Sequence, residues 1–582
     1  MIQPTLSHLE AAGLIRAAAD SAEPAYSFRH ALGQDAAYAS LLRADRRRLH
    51  RAVGETLETL YADTTAEWAA VLAHHFHAAA DPRALAYFTQ AADQALGLFA
   101  NREAEGYYRT ALTLDAPPTM QARLLTGLAA ALAGQSRLEA AVASWRTAIA
   151  MYQTLGDGDM AAALYARAGR VTWESGDPPG DLALCQEGLA ATAAVGDGRG
   201  RAALLHELAR ALHFNGRAAE ALPLCRQALA LAERLGDQEI AADIWITLGI
   251  MPSTTAAEQK AALAQAVALA AAAGTPFTLF RAHFNLGHMS QVWGDVRAGR
   301  DHYRLAYHAV RPTGMAAREL FALTNMAEVS LLLGDFATVE TLLPLMHTLS
   351  RTVGGMTTAT LQLQCVEARL DRYRGVLRPA LARLLVLLDQ DRLRGDIQTA
   401  ITQNQPVAEI LLEQGDTAPA IVLLEEAVTV GEAALWDNVA NRATLAGAYA
   451  QAGRIADAQA CWAIAATQAG PSPNPLAAYY LAYSAARLAC AAGDPAAALL
   501  HYAQAVARLA ALGMPWYQAR LLTEWAATLS ALGGAAGWAQ AAALLTEAAA
   551  LFDALEVPYY ATQARAQRAA LPAGVPAGVG AS

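Results

Sequence analysis

The feature that most constrains this chain is a period. Every 38 to 43 residues a helix ends on a small or Gly-containing turn and another begins. The turns fall at Ser136, Gly176, Gly216, Ala256, Gly294, Gly334, Gly375, Gly415, Gly453, Gly493 and Ala536, with a degenerate earlier copy near Phe99. A fixed period of this size specifies helical hairpins that cannot bury an apolar face alone and must stack on their neighbours. The expected fold is therefore all-α, a right-handed superhelical α-solenoid of about twelve helix-turn-helix repeats. Its 582 residues exceed a single ordinary core, but a solenoid grows by stacking and escapes that limit.

Around each turn the same places are small or apolar. Five, nine and twelve residues after Gly216 come Ala221, Cys225 and Ala228; after Gly493 come Ala498, Tyr502 and Ala505. Before the turn a Leu is followed by a small residue, as in Leu208-Ala209, Leu248-Gly249 and Leu286-Gly287. Small side chains there let antiparallel helices approach closely while a large one fills the gap beside them. Gly ends the first helix without a Cβ penalty, and the Asp that often follows (Asp295, Asp335, Asp416, Asp494) suits an N-cap. The copies at 177–190 and 253–268 are weak.

Leu-Gly in the first helix, Gly-Asp at the turn, and Ala with an aromatic in the second resemble the tetratricopeptide repeat. The segments at 208–231 and 486–509 carry the pattern best, and the likeness covers roughly 85–571. The common form repeats at about 34 residues, so each helix here gains part of a turn. That is similar to the long-helix variant of bacterial STAND-class signalling ATPases and LuxR-type transcriptional regulators.

Residues 1–84 do not fit the repeat. Thr5–Ile15 reads as an amphipathic helix, Arg16–Asp20 and Ala25–His30 as a short hairpin, and 26–58 as two further helices. Helix, wing, helix resembles the tail of a winged-helix unit. The run Tyr26-x-Phe28-x-His30-Ala31-Leu32, with later Arg47-Arg48-Leu49-His50, resembles the junction after the nucleotide-binding module of STAND-class ATPases, and 71–96 resembles the lead-in to that family's repeats. The expected organisation is a partial winged helix with connecting helices over 1–60, lead-in helices and a degenerate repeat over 61–115, the solenoid over 116–571, and a disordered tail over 572–582. The family implies an ATPase core ahead of this point, locked by the winged helix and governed by repeats that sense an inducer. No GxxxxGK[ST] occurs, and the single lysine, Lys260, lies in the repeats. A phosphate cradle needs that loop's amides and the Lys charge, so hydrolysis by this polypeptide is not expected, and the ATPase half is expected on another chain or upstream.

Composition narrows the function class. Net charge is −10, which gives no global field for nucleic acid. The Ala-rich stretches are too weakly hydrophobic to span a bilayer, and no basic start precedes an apolar run, so the expected location is cytoplasmic. The five cysteines include no CxxC and read as core filler; Cys185 and Cys225 occupy equivalent places one period apart. His74, His75 and His77 are spaced unlike a helical zinc pair, which favours structure over metal. The stripe Arg43, Arg46, Arg47, Arg48, His50 and Arg51 reads as a solvated face or an interface of ion pairs in preference to a phosphate contact. No nucleophile elbow or paired-carboxylate motif stands out, and neither cofactor nor metal is expected.

The resemblance assigns the groove to positions thirteen, ten, six, three and two before each turn. Those give Arg170, Trp173 and Glu174; then His206, Arg210, His213 and Phe214; then Arg281, Phe284, His288 and Gln291; then Phe321, Thr324 and Glu328. Arg, His and aromatic groups suit a peptide or a small anionic inducer. Ordinary packing between repeats is the bland alternative for each residue. After Gly415 the inner positions read as small or apolar (Ala482, Ala486, Leu488), which places contact between about 165 and 330. Imidazoles with an ordinary pKa of about 6.5 would make an anionic partner bind more tightly as pH falls through that value. The expected function is a non-enzymatic interaction and inducer-sensing scaffold, the sensor part of a STAND-type regulator. Its expected partner is a protein or peptide, or that inducer, with a separate ATPase chain besides, and no membrane. The competing reading is a DNA-binding regulator acting through residues 1–60.

Overall fold

The computed structural model describes residues 2–17, 26–135, 137–251, 255–354, 358–394, 397–433 and 438–572. Those residues form an all-α, tetratricopeptide-like solenoid with one small hairpin. The chain divides into two compact units, Met1–Asp157 and Gly158–Ser582.

In the first unit, α1 (Ile2–Ala11) is followed by β1 (Ile15–Ala17) and β2 (Tyr26–Phe28), paired antiparallel with Ile15 opposite Phe28. Then come α2 (Ala31–Ser40), α3 (Arg43–Leu60), α4 (Ala69–Ala78), α5 (Arg83–Gly97), α6 (Asn101–Leu112), α7 (Pro118–Gly134) and α8 (Leu138–Leu155). The first helix stops four residues short of the expected Ile15, because Gly13 turns the chain at φ +71° and Ile15 enters the hairpin as a buried side chain. Phe99 does turn the chain, with a left-handed φ of 59° between α5 and α6. Ser136 and the residues beyond Pro572, where a turn and a tail are expected, lie outside the described residues.

The second unit holds α9 (Gly158–Glu174), α10 (Pro178–Ala191), α11 (Arg199–Phe214), α12 (Ala218–Leu235), α13 (Gln238–Ile250), α14 (Ala256–Ala273), α15 (Pro276–Val292), α16 (Val296–Val310), α17 (Ala316–Leu332), α18 (Phe336–Val353) and α19 (Thr358–Tyr373). It continues with α20 (Leu377–Arg394), α21 (Ile397–Gln414), α22 (Thr417–Ala433), α23 (Val439–Gln451), α24 (Ile455–Ala469), α25 (Pro475–Ala491), α26 (Pro495–Leu512), α27 (Pro515–Leu532), α28 (Ala535–Ala554) and α29 (Pro558–Ala569). Each odd-numbered helix from α5 to α27 pairs with the next even one. Among the described residues that makes two hairpins in the first unit and ten in the second, with α29 packed on α28. The weak copies form ordinary helices, α10 and α14.

Two turns fall elsewhere than the period suggests. Ala256 is the first residue of α14, whose N-cap Thr255 and Glu258 form a capping box. Ala536 lies inside α28, and the chain turns at Gly533 and Gly534, both with positive φ. Ala256 comes from carrying a spacing of 40 past Gly216, and Ala536 from passing over the short two-residue turn between Leu532 and Ala535.

The junctions follow from local chemistry. At Gly294 the amide bonds back to Gln291 and that of Asp295 to Ser290, which closes α15; the Asp295 carboxylate then accepts the Ala298 N–H at 3.0 Å and opens α16. Asp335 and Asp494 cap α18 and α26 the same way. Asp295→Ala should cost about 1 kcal/mol, read as a lowered urea midpoint. The small residue before each turn is where the second helix presses in: a Cβ on Gly287 would stand 2.8 Å from the Tyr303 ring.

Apolar packing links repeats far apart in sequence. One core holds side chains of α17, α18 and α19 together with those of α27, α28 and α29. Another joins Val296, Tyr303, Met326 and Val329 to α25, α26 and α27. Odd helices four repeats apart therefore meet, and the face on which they meet is the inner wall of this unit.

Candidate functional site: the inner wall of the second unit

Odd helices are stapled side by side by charge. Arg170 on α9 reaches Glu207 on α11 at 2.7 Å, Arg281 on α15 pairs with Asp243 on α13, and Arg369 on α19 lies 3.5 Å from Glu328 on α17. Farther on, Arg372 on α19 binds Glu409 and Glu413 on α21 at 2.9 and 2.6 Å, and Arg487 on α25 binds Glu524 on α27 at 2.8 Å. Such pairs hold a wall in register, because a buried charge that loses its partner is costly.

The densest knot lies at α9–α11. Glu207 is buried, accepts from Arg170 and Arg210, and is held well below the usual carboxylate range, where the two guanidiniums outweigh burial. Asp181 on α10 accepts from Arg210 at 3.1 Å and from the Cys185 thiol at 3.3 Å, and burial together with Glu207 pushes it up. Arg210 also lies 4.5 Å from the Trp173 ring centre and 5.3 Å from that of Phe214. His206 is buried against the Thr247 hydroxyl at 2.8 Å, and burial lowers its pKa to about 3.

The residues singled out from sequence thus share one wall and differ in availability. Arg210 and His206 are sealed inside it by partners of their own. Arg170 and Arg281 are mostly buried and paired, and Thr324 is buried against Gln362. Trp173, His213, Phe214, Phe284, Gln291 and Phe321 are half-buried, as are Glu174, paired with Arg318 at 2.8 Å, and Glu328. His288 is exposed. Burial lowers the imidazoles of His206 and His213, with Arg210 adding to the effect at His213, and the protein mass around the wall lowers that of His288 although its ring keeps open surface. His206 is therefore neutral at pH 6.5, and His213 and His288 are shifted toward the neutral form, so a strengthening of anion binding through these rings would set in below their ordinary value.

The C-terminal wall is also unlike its sequence reading. Ala482 and Ala486 are buried between helices. The wall instead carries Tyr480, Tyr483 and Arg487, thirteen, ten and six residues before Gly493. Tyr483 and Tyr502 donate to Glu524, Tyr373 lies 4.7 Å from the Trp516 ring, and the Tyr560 hydroxyl donates to the Arg372 carbonyl at 3.0 Å. This stretch is closed by its own packing. Two signals could have found it: the offsets themselves, and opposite charges 37 residues apart, one period less a helical turn, as at Arg170–Glu207, Arg372–Glu409 and Arg487–Glu524.

In the first unit part of the basic stripe is taken up locally, while Arg43 and Arg47 are exposed. Arg51 pairs with Asp81 at 3.3 Å and Arg48 with Asp45 at 3.2 Å, while Arg46 sits over the Tyr38 ring. His75 and His50 share an Nδ1–Nδ1 hydrogen bond of 3.0 Å, and His77 meets the edge of Phe88. Among the described residues no group of three His, Cys, Asp or Glu is placed to hold a metal ion. All five cysteines are free, four of them buried. No described helix is long and apolar enough to cross a membrane.

Together these features define a helical-repeat solenoid with a charge-stapled inner wall. No protein-family model matches the chain, and no curated protein matches it. Solved structures similar to it include a Rap protein complexed with Competence and Sporulation Factor, at 14% identity over 64% of this chain and 97% of that one, with a TM-score of 0.41. The APC/C hetero-tetramer Cut9–Hcn1 is 12% identical over 83% of this chain and 93% of that one, with a TM-score of 0.41. Yeast Tom70 is 12% identical over 84% and 92%, with a TM-score of 0.29.

Proposed function

We propose that this chain is a non-enzymatic interaction scaffold whose inner wall, on α9 to α17, receives a protein or peptide partner or a small inducer. One observation carries the reading: successive odd helices are locked into a continuous wall that keeps polar and aromatic groups half-open, with His288 exposed between them. Rigid walls of this kind suit recognition because little ordering is left to do on binding. The likeness of residues 26–58 to the junction of STAND-class ATPases, and of 71–96 to the lead-in to that family's repeats, supports a finer role as the sensor part of such a regulator, with a nucleotide-binding chain as a further partner.

The test is direct binding of a purified partner to the wild type, to His288→Glu and to Gln291→Arg, with folding checked by circular dichroism. A loss of about tenfold or more, the scale of a recognition residue, is expected in both variants. Wild-type affinity in both, or loss only from changes beyond residue 400, would move the site. Phosphate release from ATP by the purified chain above a blank would overturn the non-enzymatic reading.

A further inference from the structure

The wall between α9 and α17 is built from many charges, and pairing consumes them. Arg170 and Arg210 face Glu207 and Asp181, Arg281 faces Asp243, and Arg318 faces Glu174. Glu328 answers Arg369. Arg167 stands toward the ends of α11 and α13, beside Arg199 and Glu239. The groups that keep open surface between these pairs are neutral: the lowered His288 imidazole, the amides of Asn285, Gln291 and Asn325, and the Phe277, Phe284 and Phe321 rings.

Those rings form a ladder across two successive odd helices. Phe284 on α15 stacks on Phe321 of α17 at 4.7 Å between centroids, and Phe277 joins through buried Phe280 at 6.0 and 5.7 Å. One side of the ladder rests on the Ala306, Val310 and Ala322 core.

We propose that this wall takes an uncharged, aromatic- or aliphatic-bearing segment of a partner polypeptide, seated on the Phe277–Phe284–Phe321 ladder, and that it does not take an anion. An anionic ligand would have to displace a carboxylate from a buried guanidinium, exchanging one paired charge for another and leaving the expelled one to be resolvated. A neutral segment leaves every pair intact, along with the Arg318 guanidinium 5.5 Å from the Phe277 ring centre, and removes the remaining open ring surface from water. The amides of Asn285, Gln291 and Asn325 each offer a donor and an acceptor, which suits peptide backbone. Aromatic floors with neutral polar rims are where binding energy concentrates.

The inference rests on the scaffold reading above, and the experiment separates the two. A random dodecapeptide phage library is panned on the full chain. Synthetic peptides from the enriched clones are then titrated at about 50 and about 500 mM NaCl, which shortens the screening length roughly threefold. Expected are peptides of near-zero net charge rich in aromatic and aliphatic residues. Their affinity should change by less than about twofold with salt and fall by about tenfold or more in Phe284→Ser. Phe277→Ser, in the first turn of α15, gives the same reading if Phe284→Ser does not fold, and the salt series needs only the wild type. Acidic peptides whose affinity collapses with salt, or neutral peptides that bind both variants like the wild type, overturn the inference and leave the scaffold reading standing. A library that enriches nothing overturns both.

Discussion

Replacing Gly375 by Ala is expected to destabilise the second unit by about 2–5 kcal/mol, against about 1–2 kcal/mol for Gly453→Ala. The two glycines look alike in sequence, each ending an odd helix, and both have positive φ, +85° and +75°. Left-handed backbone costs an L-residue about 1–2 kcal/mol at either place. The surroundings separate them. A Cβ at Gly453 meets nothing within 4 Å, whereas one at Gly375 falls inside the Tyr559 ring. The Tyr559 ring is exposed and can turn, but its Cβ would also stand 2.8 Å from the new methyl. The backbone there is held, because the neighbouring Tyr560 hydroxyl is tied to the Arg372 carbonyl at 3.0 Å and Tyr560 packs against Trp516 and Phe552. Overpacking of this kind adds about 1–3 kcal/mol. The readout is the urea midpoint of tryptophan emission, since Trp516 sits in the same core. Equal shifts for the two variants would mean that Tyr559 yields and that the contact between distant repeats is soft.

That contrast shows what the sequence could and could not convey. Helix ends were legible because their causes are local: Gly294 and Asp295 close one helix and open the next within a few residues. Where the local cause differs, even spacing misleads. Thr255 with Glu258, and the doubled Gly533-Gly534, were present in the sequence and mark the true junctions better than the period does. The inner wall was partly legible. The offsets placed Arg170, Arg210, Arg281 and His288 on it, but exposure depends on partners contributed by neighbouring helices. Nothing within a few residues of Arg210 reveals Asp181, and nothing near His206 reveals Thr247. The closure of the C-terminal wall was not legible at all. Tyr373 meets Tyr517, 144 residues away, and only the assembled curvature of the repeats decides such a meeting. The STAND-type role proposed above draws on residues 26–58 and 71–96, in the first unit, and leaves the wall's chemistry to the second unit's own residues.

Glu207→Gln should be the most damaging single change in the candidate site, at about 3–5 kcal/mol. Glu207 is the carboxylate on which Arg170 of α9 and Arg210 of its own helix converge, and it is buried. The amide keeps the shape and removes the charge, which leaves Arg170 without an ion-pair partner at bonding distance and Arg210 with Asp181 alone. Double substitution is the control. Arg170→Met with Glu207→Gln removes the stranded guanidinium together with its partner, so part of the loss should return, and the shortfall from additivity measures the pair. The pH dependence has a definite sign. Glu207 has a native pKa below its ordinary value of about 4.3, so its contribution is fully present above that value and is lost as pH falls through the native one. Asp181 runs the other way. Its native pKa is raised, so the folded state is penalised as pH rises from about 3.9 through the native value. Without the Glu207 charge, the second cause of that rise disappears while Arg210 remains, and the Asp181 pKa should fall. Urea midpoints of wild type and Glu207→Gln should therefore separate as pH rises from about 3 to about 4.3, where the Glu207 charge comes into force, and draw closer again toward neutrality, where the wild type carries the larger Asp181 penalty. A constant gap across that range would show that Glu207 acts through its shape and hydrogen bonds, with its charge counting for little.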